Sequence, residues 1–165
     1  MISALPDSSA APRRVDRAAR LVAAQPPEVY AAFTDPKALV QWLPPAGATM
    51  QVDAFEPRPG GALRLILTFA ETTSGQGKSS DRTDVVNAKF VALDPPSQIV
   101  WDIDFDSDRP EFAGTMRMTW DLLPANTGTE VRITAADVPP GITAEAHQQG
   151  LTSSLANLAR FVERR

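Results

Sequence analysis

The chain of 165 residues holds one histidine and no cysteine. Those two counts narrow its chemistry more than any motif does. Without cysteine there is no disulfide, no thiolate nucleophile and no cysteine-ligated metal site. With one histidine, neither a Ser-His-Asp relay nor a two-histidine metal site can be read. His147 lies one turn ahead of Leu151, Leu155, Leu158 and Val162, which recur at steps of four, three and four. That is the spacing of one helical face. A histidine there is either a core side chain hydrogen-bonded to a neighbour or a polar group facing a ligand. Asp102, Asp104, Asp106 and Asp108 invite a calcium reading, since carboxylate oxygens suit that ion. Residues two apart along a strand, however, point the same way about 7 Å apart. Four of them cannot share one ion, so the ladder reads as a solvated sheet face. Gly60 and Gly61 have no helix behind them and do not match a phosphate-binding loop. Met116 and Met118 read as core filler, with walls adaptable enough for a cavity. No metal and no cofactor is expected.

The elements that must position these residues follow from periodicity. Residues 142–164 read as one amphipathic helix, about 20 residues and roughly 30 Å long. Residues 13–23, with Val15, Ala19, Leu21 and Val22, read as a strand. Pro26 and Pro27 suit the first turn of a short helix, and Asp35-Pro36 caps and starts a second one carrying Leu39, Val40, Trp42 and Leu43. From residue 49 the period changes to two. Strands are expected over 50–55, through Leu63, Leu65, Leu67 and Phe69, over 83–93, through Ile99, Trp101, Ile103 and Phe105, through Phe112, Met116, Met118, Trp120 and Leu122, and over 129–135. Short connections make these an antiparallel meander. The class is α+β: a curved antiparallel sheet of about seven strands, two short helices and a long C-terminal helix over the apolar face. The domain reading is a tail over 1–12, small and polar and expected to be disordered, and one domain over 13–165.

Strand parity and the meander bring specific residues together. In 83–93, Val86, Ala88, Phe90 and Ala92 share a face without a long polar side chain, which should point inward. The same parity points Asp84 inward, unless it lies beyond the ordered sheet and is solvated. Loops after alternate strands share an edge, so 73–80, 106–111 and 137–141 should cluster where the long helix begins. Phe69, Asp84, Phe105, Phe112 and His147 fall at that end. A mostly apolar lining with two polar groups is the composition of a small-molecule site.

The order of elements resembles the helix-grip fold of the START/Bet v 1-like (SRPBCC) superfamily. The local text resembles its branch named for the activator of Hsp90 ATPase. The pieces that carry the resemblance are Pro27-Glu28-Val29-Tyr30-Ala31-Ala32-Phe33-Thr34-Asp35-Pro36, Leu39 to Trp42, Arg58-Pro59-Gly60-Gly61, the run 88–96 followed by Ile99-Val100-Trp101, Met118-Thr119-Trp120-Asp121-Leu122, and His147-Gln148-Gln149-Gly150-Leu151 ahead of Leu155. Where that family often has Gly-Trp, this chain has Gly150-Leu151. The resemblance implies a hydrophobic cavity between sheet and helix. Geometry places its mouth near loops 73–80, 106–111 and 137–141, because the two short helices can close only the other end. Its walls should include Phe69, Phe105, Phe112, Met116 and Leu151, with His147 and Asp84 as polar groups and small Ala144 and Ser154 on the inward helix face.

The functional reading is a domain that binds a hydrophobic small molecule. Two alternatives stay open: an enzyme of the cyclase, hydrolase or dehydratase type using His147 and Asp84, and a module that contacts an Hsp90-type chaperone, as the family name suggests. A homodimer is a further partner to consider. A net charge of −4 argues against nucleic acid. No apolar run is long enough for a bilayer, and the small, polar start is no signal peptide. A cytoplasmic protein without a membrane partner is the expectation.

Overall fold

A computed structural model of the chain describes residues 13–70, 83–105 and 107–164. The tail 1–12, the loop 73–80 and Asp106 lie outside the described residues. The elements run β1 (Arg14–Val22), α1 (Pro26–Thr34), α2 (Pro36–Trp42), β2 (Ala48–Phe55), β3 (Ala62–Phe69), β4 (Thr83–Asp94), β5 (Gln98–Phe105), a 3-10 turn (Pro110–Phe112), β6 (Thr115–Ala125), β7 (Gly128–Val138) and α3 (Ala144–Glu163). The seven strands form one antiparallel sheet in the order β1-β7-β6-β5-β4-β3-β2. The stretch from β2 to β7 is the expected meander, and β1 closes the row against β7.

The helices start where their sequences say they should. Pro26 and Pro27 open α1, and Asp35 caps α2 by accepting from the Lys37 backbone N–H at 3.0 Å. The Thr143 hydroxyl accepts from the Ala146 N–H at 3.1 Å and starts α3, so the long helix begins two residues later than its apolar pattern suggests. Leu151, Leu155, Leu158, Ala159 and Val162 are the buried stripe of α3. Ala144 is exposed rather than inward, because the first turn of α3 lies ahead of that stripe. Phe33, Trp42, Trp101 and Trp120 form an aromatic cluster with centroids 4.9–5.9 Å apart, edge-to-face except for the tilted Phe33–Trp101 pair, and the Trp42 indole donates to the Ala32 carbonyl at 2.9 Å. Through Phe33 and Trp42, α1 and α2 pack against the sheet here. At the β2–β3 turn, a Cβ on Gly61 would stand 1.9 Å from the Glu56 carbonyl oxygen, so only glycine fits there.

β1 is a strand as expected, yet most of the apolar residues that marked it face water: Val15 and Leu21 are exposed, Leu21 at 54%, while Asp16 and Val22 are buried. One local reading is corrected. Phe112 does not continue the parity of β6. Pro110 sets a 3-10 turn, Gly114 adopts φ +100, and the strand starts only at Thr115. Phe112 packs on the margin of the core, with the Arg109 guanidinium 4.7 Å from its ring centre. In the acidic ladder, Asp102 is half-buried and Asp104 and Asp108 are exposed, so these three are not core residues. Asp102 accepts two hydrogen bonds from Arg117 at 2.7 and 2.9 Å, and Asp104 accepts from the Thr115 hydroxyl. Cross-strand pairing therefore partly neutralises it. The Arg117 hydrogen bonds, helped by the charges of Arg117 and Lys89, lower the Asp102 pKa against the upward push of burial.

Candidate functional site

A partly open hollow of about 230 Å3 lies between α3 and the inner face of the sheet. β3, β4, β5 and β6 supply one wall through alternate residues that point the same way: Leu63, Leu65, Leu67 and Phe69 on β3 are the regular case. The stretch of α3 from His147 to Ser154 supplies the other wall, and Leu43 and Pro45 close it from beyond α2. Phe69, Asp84, Phe105, Met116, His147 and Leu151 all line the hollow. Phe112 does not, for the reason given by the 3-10 turn. The loops 106–111 and 137–141 do meet, through a 2.7 Å hydrogen bond from the Gly141 N–H to the Glu111 carbonyl. Asp84 is 3% exposed. It pairs in register with Leu67 inside the sheet, so the alternative of a solvated residue beyond the sheet edge is excluded. The indole N–H groups of Trp101 and Trp120, which also line the hollow, are buried without a hydrogen-bond acceptor among the described residues.

His147 has a hydrogen-bond partner in the protein and also borders the hollow. It lines the hollow, and its Nδ1 lies 2.7 Å from Oδ2 of Asp16. Asp16 in turn accepts from Nε of Arg14 at 2.9 Å and 3.1 Å through its two oxygens. The terminal nitrogen of Arg14 donates to the Ile142 carbonyl just before α3. The side chains of Asp16 and His147 are 9% and 11% exposed. The three groups form a chain that ties edge strand β1 to the first turns of α3. A β-bulge makes this possible. Between Arg14 and Asp16 the partner strand β7 takes one extra residue, and Asp137 there adopts φ 60. Such a bulge bends a strand and redirects side chains.

The Asp16 carboxyl feels opposing effects. Burial pushes its pKa up, but hydrogen bonds and charge from Arg14 and His147 outweigh that, and the net shift is downward from the usual 3.8. Asp16 is therefore a carboxylate at neutral pH and can only accept. Sequence reasoning missed it. It sits on the inward parity of β1 with Arg14 and Ala18, the parity that carries fewer apolar residues, and only the hydrogen bond across 131 positions reveals its role. Among the described residues no group of three or more metal-ligating side chains converges.

A curved antiparallel sheet gripping one long helix over a hollow defines a helix-grip protein of the Bet v 1/SRPBCC type. Residues 23–163 match the model of the family described as activator of Hsp90 ATPase homolog 1-like protein, and the chain belongs to that family. A crystal structure of a protein from Chromobacterium violaceum is 30% identical, with a TM-score of 0.80 over 90% of this chain and 96% of that one. One from Rhodobacter sphaeroides is 26% identical, with a TM-score of 0.74 over 90% of this chain and 91% of that one. The solution structure of an AHSA1-like protein from Aeromonas hydrophila, 16% identical, shares the fold at a TM-score of 0.72 over 92% of this chain and 93% of that one. No match is found among curated proteins. No described helix is long and apolar enough to cross a membrane.

Proposed function

We propose that the protein binds a hydrophobic small molecule in the hollow between α3 and the sheet. The observation that carries this reading is the lining. Leucine, methionine and aromatic side chains make most of the wall, and the polar side chains on it are only Asp84, His147 and Ser154 among the described residues. Sites for small molecules have that composition, an apolar wall with a few orienting polar groups. A cavity of about 150 Å3 with apolar walls already takes benzene, so 230 Å3 suits a molecule of about two fused rings. The occupant would regain dispersion contacts that an empty wall lacks.

The test is titration with an environment-sensitive apolar dye, on the natural protein and on Leu151→Trp. Leu151 is buried in the wall of the hollow, and an indole at this position would occupy it. Micromolar binding to the natural protein and a loss of at least tenfold in the variant are expected. Absence of binding, or equal binding by both, would overturn the proposal. No comparable observation favours contact with a chaperone, which rests on the family description alone.

A further inference from the structure

We propose that the molecule held in the hollow carries a hydroxyl or N–H donor bound by Nε2 of His147, with Arg14 and Asp16 as positioning residues that keep the ring in its acceptor tautomer. This rests on the reading that the hollow binds a hydrophobic molecule, and it names the class.

The position of one proton decides what Nε2 can offer. Asp16 accepts from Arg14 through both oxygens and has no hydrogen of its own to give. Its 2.7 Å contact with His147 therefore needs the proton on Nδ1. In the neutral imidazole, a proton on Nδ1 leaves the lone pair on Nε2. That nitrogen has no hydrogen-bond partner in the protein among the described residues. The Nδ1 atom is committed to β1, so Nε2 is the polar atom that His147 can offer the hollow it lines. A carboxylate behind the ring also makes Nε2 a better acceptor, as it does for metal-bound histidines.

The rest of the wall points the same way. The described lining contains no lysine and no arginine, and its acidic member is Asp84. A carboxylate ligand would be desolvated against a described lining that holds no cation. Neutral molecules of the same shape with a donor, such as phenols, alcohols and aryl amines, suit that lining.

Three bicyclic probes of one shape separate the possibilities: naphthalene, 2-naphthol and 2-naphthoate, each displacing the apolar dye. One neutral hydrogen bond should make 2-naphthol about five- to tenfold tighter than naphthalene, with 2-naphthoate weakest. The single histidine gives a direct second readout by 15N NMR of the ring. The natural protein should show the Nδ1–H tautomer, and 2-naphthol but not naphthalene should shift the Nε2 resonance. Asp16→Asn keeps the shape, leaves an oxygen for Arg14 and offers an N–H to Nδ1. It should turn the ring to the Nε2–H tautomer and abolish the preference for 2-naphthol, an effect that a merely structural role for Asp16 would not produce. Equal binding of naphthalene and 2-naphthol, or tightest binding of 2-naphthoate, would overturn this inference while leaving the ligand-binding reading intact. If none of the three binds and the dye does not bind, both fall. An unchanged tautomer in Asp16→Asn would remove the positioning role of Asp16.

Discussion

Two leucines on the same stripe of α3, one turn apart, should respond differently to the same truncation. Leu155 is 2% exposed, belongs to the packed core and does not line the hollow. Leu151 is 3% exposed but borders the hollow. Changing either to alanine removes about three methylene equivalents, or about 2.4 kcal/mol of transfer free energy at about 0.8 kcal/mol each. At Leu155 the deletion also leaves an enclosed void. Voids add about 24 cal/mol per Å3, which spreads buried leucine-to-alanine changes from about 2.7 to about 5.0 kcal/mol. At Leu151 the freed space merges with a hollow that already opens to water, so little new void is enclosed. Leu155→Ala should therefore cost about 4–5 kcal/mol and Leu151→Ala about 2.5 kcal/mol. Urea unfolding of the two variants and the natural protein, with the slopes checked for equality, measures the difference. The expected gap of about 2 kcal/mol corresponds to about 4–8 °C in Tm for a chain of this size. A Leu151→Ala cost equal to or above that of Leu155→Ala would refute the reasoning, because it would mean that Leu151 is as tightly enclosed as its neighbour.

Gly150 sits inside α3, and a Cβ added there would meet no atom within 4 Å. Gly150→Ala should raise stability by about 0.5–1 kcal/mol through lower backbone entropy in the unfolded chain, read as a higher urea midpoint; a lower midpoint would show that the helix needs the glycine. Acid should act through Asp16. Its folded pKa lies below the usual 3.8, so its contribution to stability is present above 3.8 and is lost as pH falls through the depressed folded value. The stability advantage of the natural protein over Asp16→Asn should hold at neutral pH and shrink below pH 3.8; an advantage that stays constant down the acid limb would mean the ion pair contributes nothing.

What the sequence shows and hides follows from where each signal lives. The period-two runs of β3 to β5 carry the sheet because their inward faces are buried side by side, and the same parity identifies Phe69, Asp84 and Phe105 as residues on the hollow. The stripe on α3 identifies His147 and Leu151 in the same way. Parity fails where the chain stops being regular. Phe112 has the right spacing from Met116 but sits beyond Gly114, where the backbone turns, and spacing cannot register a turn that Pro110 and Gly114 impose between them.

Asp16 marks a deeper limit. On β1 the exposed parity carries Val15 and Leu21 and the inward one carries Arg14 and Asp16, the reverse of the usual pattern. An inward acid and base are tolerated only because each satisfies the other, and because His147 and the Ile142 carbonyl complete the chain. That arrangement needs β1 beside β7, the β7 bulge at Asp137, and the start of α3 above them, three contacts set by distant parts of the chain. A buried polar network held together by such long-range pairing leaves no periodic trace. Its inward charged residues look like surface until their partners are known. The same dependence bears on the proposed specificity: a ring whose tautomer is fixed from β1 would present one kind of polar atom to a molecule in the hollow, and that atom, more than the apolar wall around it, would tell one hydrophobic molecule from another.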